Sequence, residues 1–167
     1  MEEKIQIVAN IIVNSKKPVV FTGAGISTES GIPDFRGPQG IWTKNPEAER
    51  RAYRGYQQFL EDPKAWWKER LASRSALGNL AEAKPNPGHY ALVELEKMGI
   101  LKCVITQNVD ALHEKAGTRR LYEYHGSFAK LRCVSCNARF KREEFDLERL
   151  AREDQLPPRC PHCGGVV

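Results

Sequence analysis

The chain of 167 residues has room for one domain with a smaller appendage, and 41% hydrophobic with 28% charged residues is a globular composition rather than a disordered or fibrous one. The net charge of +5 is scattered: Glu49-Arg50-Arg51 and Lys141-Arg142-Glu143-Glu144 mix both signs, which favours a solvated surface and makes nucleic acid an unexpected direct ligand. No stretch has the apolar length of a bilayer span, and the acidic opening Met1-Glu2-Glu3-Lys4 lacks a signal-peptide pattern, so the expectation is a cytoplasmic protein whose five cysteines serve metal ligation rather than disulfides.

Ile5, Val8, Ile11 and Ile12 recur at helical spacing and predict a helix over 3–14, ended by Lys16-Lys17-Pro18. Val19 to Phe21 is a short buried strand that feeds the turn Thr22-Gly23-Ala24-Gly25. Residues 23–46 are rich in glycine and proline and predict an ordered loop. From Pro46 to Leu80 the pattern is helical, with expected breaks at Gly55 and Asp62-Pro63 and core contacts from Trp66, Trp67 and Leu71.

After the turn Pro85-Asn86-Pro87, an amphipathic helix is predicted from Gly88 to Met98, with Ala91, Leu92 and Leu95 inside and Gly99 closing it. Cys103 to Thr106 is a second strand, 110–116 a helix stopped by Gly117, and Leu121 to Glu123 a third strand. This alternation predicts an α/β fold, a partial Rossmann-like parallel sheet with ligands at the carboxyl ends of its strands. The glycine turn, Gln107-Asn108-Val109-Asp110 and His125 all fall at such ends. The expected division is 1–127 for the nucleotide-binding part, with a helical insert over about 46–85, and 128–167 for a zinc-ribbon module.

Cys133-Val-Ser-Cys136 and Cys160-Pro-His-Cys163 are two C-x-x-C pairs. Their thiolates predict a closed tetrahedral Zn²⁺ site, structural because no coordination position stays open. The competing reading is a set of buried or redox-active thiols. His162 is expected to face solvent, and Cys103 to act as a small core residue.

Gly23-Ala24-Gly25-Ile26-Ser27, Gly31-Ile32-Pro33-Asp34-Phe35-Arg36, Thr106-Gln107-Asn108-Val109-Asp110, Leu112-His113 and His125-Gly126, followed by the two C-x-x-C pairs, together resemble the sirtuins, which are NAD-dependent protein-lysine deacylases. The resemblance implies that Gly23, Ala24 and Gly25 approach the NAD diphosphate, with Ser27 and Thr28 capping the turn or donating to a phosphate. It places Ile32, Asp34, Phe35 and Arg36 in a loop over the nicotinamide ribose; from the residues alone, Phe35 and Arg36 would anchor that loop on the core. It further implies that Gln107 and Asn108 contact the ribose, that Asn108 orients a water, and that Asp110 meets the nicotinamide amide. His125 is then the general base, and His89 and His113 are structural.

The implied reaction consumes NAD. The acyl-lysine oxygen attacks C1′ of the ribose, nicotinamide leaves, His125 assists the 2′-hydroxyl, and water releases lysine with O-acyl-ADP-ribose. Expected partners are acyl-lysine proteins or peptides. The helical window from Trp66 to Ser75 carries no Tyr/Arg pair of the kind that selects acidic acyl groups, so acetyl or another uncharged acyl group is expected.

The family pattern continues beyond Gly164-Gly165-Val166-Val167 with a Phe-Gly-Glu segment, a Gly-Thr/Ser-Ser motif and an Asn-containing strand end, none of which occurs in these residues. The expectation is a catalytic half with an uncovered sheet edge and uncovered apolar helix faces, acting alone, as an oligomer or with a complementing half. A mono-ADP-ribosyl transferase using the same pocket is the alternative enzyme. An inactive zinc-ribbon binding module is the alternative from another class.

Overall fold

The computed structural model describes residues 2–72 and 80–167. The helical pattern expected over 73–79, including the end of the Trp66–Ser75 window, lies outside the described residues. Contacts group the chain into two units, Met1–Gly31 with Ala83–Gly126 and Ile32–Glu82 with Ser127–Val167. No helix among the described residues is long and apolar enough to cross a membrane.

In the first unit, α1 (Glu2–Asn14) precedes β1 (Val20–Thr22) and a 3₁₀ helix over Ala24–Ser30. Then come α5 (Pro87–Lys97), β2 (Val104–Thr106), α6 (Leu112–Ala116) and β3 (Leu121–Glu123); the helices between α1 and α5 belong to the second unit. The three strands form a parallel sheet in the order β1-β2-β3, with Val20, Val104 and Leu121 in register and Thr22, Thr106 and Glu123 closing the same line at the carboxyl ends. Thr22, Val104 and Thr106, on one sheet face, are buried, while Phe21 and Tyr122 on the other are 64% and 63% exposed.

The cap of α5 is built from Asn86, whose Oδ1 accepts from Gly88 N at 2.9 Å, with Pro87 at the first helical position. Its buried apolar residue is Val93. Ala91, expected inside, is exposed, because the buried stripe runs through His89 and Val93 one position round the helix. Cys103 is half-buried rather than a full core residue, since the strand proper starts at Val104, which is fully buried. Helix α1 forms where periodicity predicts it, yet buries no residue: Ile5, Val8 and Ile11 are all more than half exposed.

In the second unit the loop from Ile32 runs into α2 (Ile41–Lys44), a turn of helix inside the stretch read as loop. Helices α3 (Pro46–Glu61) and α4 (Pro63–Ala72) follow. The expected break at Gly55 does not occur. A glycine inside a helix costs only about 1 kcal/mol, and α3 is held by the Asn45 cap on Ala48 N, by Pro46 in its first turn and by buried Phe59. The break at Asp62 does occur, where Asp62 Oδ1 accepts from Ala65 N at 2.9 Å to start α4.

The segment 127–167 adds the antiparallel hairpin of β4 (Lys130–Arg132) and β5 (Arg139–Lys141), a 3₁₀ turn over Arg142–Glu144, and α7 (Leu147–Arg152). Phe59 and Trp67 pack with Leu147 and Leu156 in one core cluster, and Trp66 meets both aromatic rings edge-on at 5.2 and 5.3 Å. Trp67 Nε1 donates to Val167 O at 2.9 Å, so the tryptophan pair is tied to the last residue. A second cluster of Cys133, Phe140, Cys160 and Val167 underlies the hairpin.

Candidate functional site

The carboxyl ends of β1 and β2 carry a buried polar network. Ser27 is fully buried and donates through Oγ to Asp110 Oδ2 at 2.7 Å; Asp110 Oδ1 accepts from Leu112 N at 2.9 Å. Asn108 Nδ2 donates to Gly23 O at 3.0 Å and to Ser27 Oγ at 3.2 Å, while its backbone N donates to Thr106 Oγ1 at 3.0 Å. Gly23, Ser27, Asn108 and Asp110 are thus brought together. Asn108 spends both amide protons on the glycine turn, and among the described residues nothing donates to its Oδ1.

Ala24 and Gly25 open the 3₁₀ helix, and a side chain at 25 would point into open space. Thr28 is exposed and donates to Gly25 O at 2.9 Å, a bond back within the 3₁₀ turn; the N-cap itself is Gly23 and no side chain caps it. Gln107 is exposed; a Cβ on Gly23 would stand 2.5 Å from its Nε2, so glycine is what lets this side chain cross the turn. His125 is exposed just beyond β3, its ring edge-on to Tyr124 at 5.0 Å, and Gly126 at φ 76° turns the chain away from it.

Sequence reasoning missed what lies beneath. Thr22 Oγ1 donates to Thr106 Oγ1 at 2.9 Å and pairs with His113 Nε2 at 2.9 Å. With the threonine hydrogen committed to Thr106, His113 Nε2 is the donor and its Nδ1 carries no proton. His89 Nδ1 accepts from Asn86 N at 3.4 Å, so its Nε2 carries the proton. The two rings lie 4.8 Å apart, both essentially fully buried, and His89 Nε2 and His113 Nδ1 have no hydrogen-bond partner among the described residues. Burial lowers the pKa of His89 against the pull of Asp110; burial and then His89 lower His113 to about 4, again against Asp110. Both imidazoles are neutral at pH 7. The signal available in sequence was a threonine closing each of the first two strands, Thr22 and Thr106, a pairing only the sheet register reveals.

Ile32, Asp34, Phe35 and Arg36 belong to the second unit. Ile32 is buried. Asp34 Oδ1 accepts from Gly37 N at 3.2 Å, and the carbonyls of Asp34 and Phe35 accept from Ile41 and Trp42 at 2.9 Å each, so the loop is wound back onto α2. Phe35 is half-buried with its ring 4.5 Å from Trp42. Arg36 pairs with Glu49 at 2.9 Å and lies 4.6 Å over Trp42. A Cβ on Gly40 would come within 2.6 Å of the Phe35 backbone, which fixes glycine there by lack of space.

The sulfurs of Cys133, Cys136, Cys160 and Cys163 all lie within 4.8 Å of one another, with Cys133–Cys163 and Cys136–Cys160 at 3.6 Å. Zinc bonded to sulfur at ~2.3 Å in a tetrahedron needs sulfur–sulfur edges of about 3.8 Å, so the donor set fits Zn²⁺ with no fifth position to open. Both knuckles repeat one geometry: Asn137 N donates to Cys133 O and Gly164 N to Cys160 O, each donor residue at positive φ, 62° and 71°. Backbone N–H groups of Cys136 and Ser135 hold the Cys133 thiol down to about 6. Against a lowering hydrogen bond from Gly165, the neighbouring sulfurs push Cys163 up to about 12. A divalent cation removes that mutual repulsion and deprotonates the set. His162 is exposed, 5.5 Å from Phe140, and stands outside the four sulfurs.

The chain is 45% identical over 161 residues to an NAD-dependent protein deacylase of Pyrococcus abyssi, covering 96% of this chain and 61% of that protein. It is 46% identical over 164 residues to NAD-dependent protein deacylase 2 of Archaeoglobus fulgidus, covering 98% and 61%. A solved complex of a Sir2 homologue with NAD superposes with a TM-score of 0.68 at 40% identity, covering 96% of this chain and 58% of that one. The chain therefore spans about three fifths of the length of the curated relatives it matches. Residues 23–167 match the Sir2 family, and with these relatives the chain belongs to that family, the sirtuins.

Proposed function

We propose that this chain carries the NAD-binding and catalytic residues of a protein-lysine deacylase that removes acetyl or another uncharged acyl group. The observation that carries the reading is the bond from Ser27 to Asp110 together with the bond from Asn108 to Gly23, which lock the glycine turn to the second strand end at the carboxyl edge of a parallel sheet. NAD supplies the electrophilic sugar carbon and is consumed.

The chain's own residues divide the remaining work. Backbone N–H groups from Gly23 to Gly25 face an anion at the start of the 3₁₀ helix, and Thr28 fixes that turn through Gly25 O. Gln107 and the free Oδ1 of Asn108 orient sugar hydroxyls and a water. Asp110, held by Ser27 and by Leu112 N, presents a fixed carboxylate to an amide. His125, exposed at its strand end, takes a proton from a sugar hydroxyl as general base. The family pattern assigns Ile32, Asp34, Phe35 and Arg36 to the same cofactor, and we retain that assignment.

By function we divide the chain at 127/128, with the four-cysteine module beyond. Moving the acyl group onto ADP-ribose makes the activity a transferase, and reduced cysteines suit the cytoplasm. The acceptor we propose is acyl-lysine in a protein or peptide. Mass-resolved deacetylation of an acetyl-lysine peptide by the 167-residue chain, with and without NAD and over a range of protein concentration, tests all of this. NAD-dependent acetyl loss with O-acetyl-ADP-ribose supports the reading; a rate that climbs with concentration supports an oligomer. Nicotinamide release that ignores the peptide would move the assignment to ADP-ribosyl transfer.

A further inference from the structure

The positive charges that look scattered in sequence are gathered by the β4–β5 hairpin. Its register pairs Lys130 with Lys141, Leu131 with Phe140 and Arg132 with Arg139. Alternation sends Phe140 into the cluster with Cys133, Cys160 and Val167, with Leu131 packed against it. The opposite face then carries Lys130, Arg132, Arg139 and Lys141, and all four are exposed. Like charges directly opposite in an antiparallel pair are destabilising. The two-residue period requires only polar side chains there, so nothing in the folding of the hairpin calls for four cations. Lys130 has a partner of its own and Glu143 lies 3.6 Å from Lys141, whereas Arg132 and Arg139 have no ion pair among the described residues.

We propose that this face binds the phosphate backbone of duplex nucleic acid without reading its sequence. Charge complementarity selects an anion. The core of a protein–protein interface is depleted of charged residues, whereas the four side chains on this face are all Lys or Arg. Cross-strand neighbours about 5 Å apart and same-strand neighbours about 6.7 Å apart form a two-by-two array. A duplex presents one charge per ~1.7 Å of axis, and its major groove admits a two-stranded ribbon. The net charge of +5 adds long-range attraction of the same sign.

The test is fluorescence anisotropy of a labelled 20-base-pair duplex with the 167-residue chain between 50 and 200 mM salt; it measures no NAD turnover, so it stands apart from the deacylase reading. Four phosphate contacts predict an affinity loss of about 100-fold across that range, and Arg132→Gln/Arg139→Gln should cut this to about 10-fold while weakening binding at 50 mM. Lys16→Gln/Lys17→Gln, with the same change in net charge, should leave the salt dependence as it was. Lys130→Gln/Lys141→Gln should repeat the arginine result, and serves should the first variant fail to fold. Unlabelled duplex should displace the probe better than poly-glutamate of equal total charge. No binding at 50 mM, equal loss in the Lys16/Lys17 control, an unchanged slope in the hairpin variants, or equal displacement by poly-glutamate would each overturn the proposal, the last in favour of an acidic polypeptide.

Discussion

The hydroxyl of Ser27 and the carboxylate of Asp110, far apart in sequence, meet at 2.7 Å with both residues buried. The carboxylate's second oxygen already takes Leu112 N, so Ser27 is the side chain that completes its coordination. Ser27→Ala leaves a buried acceptor one donor short, a loss of about 1–3 kcal/mol, or several degrees in melting temperature for a chain of this size. The double-mutant cycle with Asp110→Asn should show a coupling of at least 0.5 kcal/mol or so. Strictly additive melting shifts would show that the contact carries no stability.

His125 presents the opposite case. It is exposed, and the ring it meets edge-on is that of an exposed Tyr124. Replacing it should move stability by no more than about 0.5 kcal/mol while removing peptide-dependent NAD cleavage. His125→Ala measured by thermal melting and by nicotinamide release separates the two: undiminished turnover sinks it as the base.

Two glycines should fail in different ways. Gly25 has open space where a side chain would go, so Gly25→Ala should leave the melting point unchanged and weaken NAD binding by covering the backbone N–H face of the turn. Gly40 has the Phe35 backbone at 2.6 Å, so Gly40→Ala must displace the loop and should cost roughly 1–3 kcal/mol. Calorimetric titration with NAD alongside melting curves reads both. Loss of stability at 25, or none at 40, would contradict the packing described.

The parts of this molecule legible in sequence are those set by local chemistry. Period and caps place α1 and α5 within a residue or so, the three short apolar runs become β1, β2 and β3, and the C-x-x-C spacing yields the sulfur cluster. What sequence does not show depends on register. Thr22 and Thr106 look like strand ends until parallel pairing brings their hydroxyls to 2.9 Å, and His89 and His113 look like two separate helix residues until α5 and α6 bring their rings to 4.8 Å. The same holds for Lys130, Arg132, Arg139 and Lys141, which become one face only through antiparallel pairing. Gly55 fails for a different reason: propensity is a small local term, and the capped, core-anchored helix overrides it.

The sulfur cluster couples metal to fold. Cys133 and Cys160 are buried in the core cluster beneath the hairpin, so metal binding and packing share residues. Cys133→Ser should lose zinc and melt earlier, and a chelator should produce the same shift in the parent chain. Retained metal by mass spectrometry, or a melting curve indifferent to chelator, would refute the four-thiolate site.

The buried histidine pair makes stability depend on pH. His113 has a folded pKa of about 4 and an ordinary value of 6.5. Its folded form stays neutral while the unfolded chain takes up a proton, so the stabilising contribution is complete above pH 6.5 and is lost as pH falls from 6.5 towards 4. The full swing is on the order of 3 kcal/mol. His89, lowered in the same direction, adds to the same slope. Chelator-treated samples compared at pH 7 and pH 5 keep metal release out of the comparison. His113→Gln, which retains a donor for Thr22, should lose less stability between the two pH values than the parent. An equal loss would mean that the proton is taken up elsewhere in the fold.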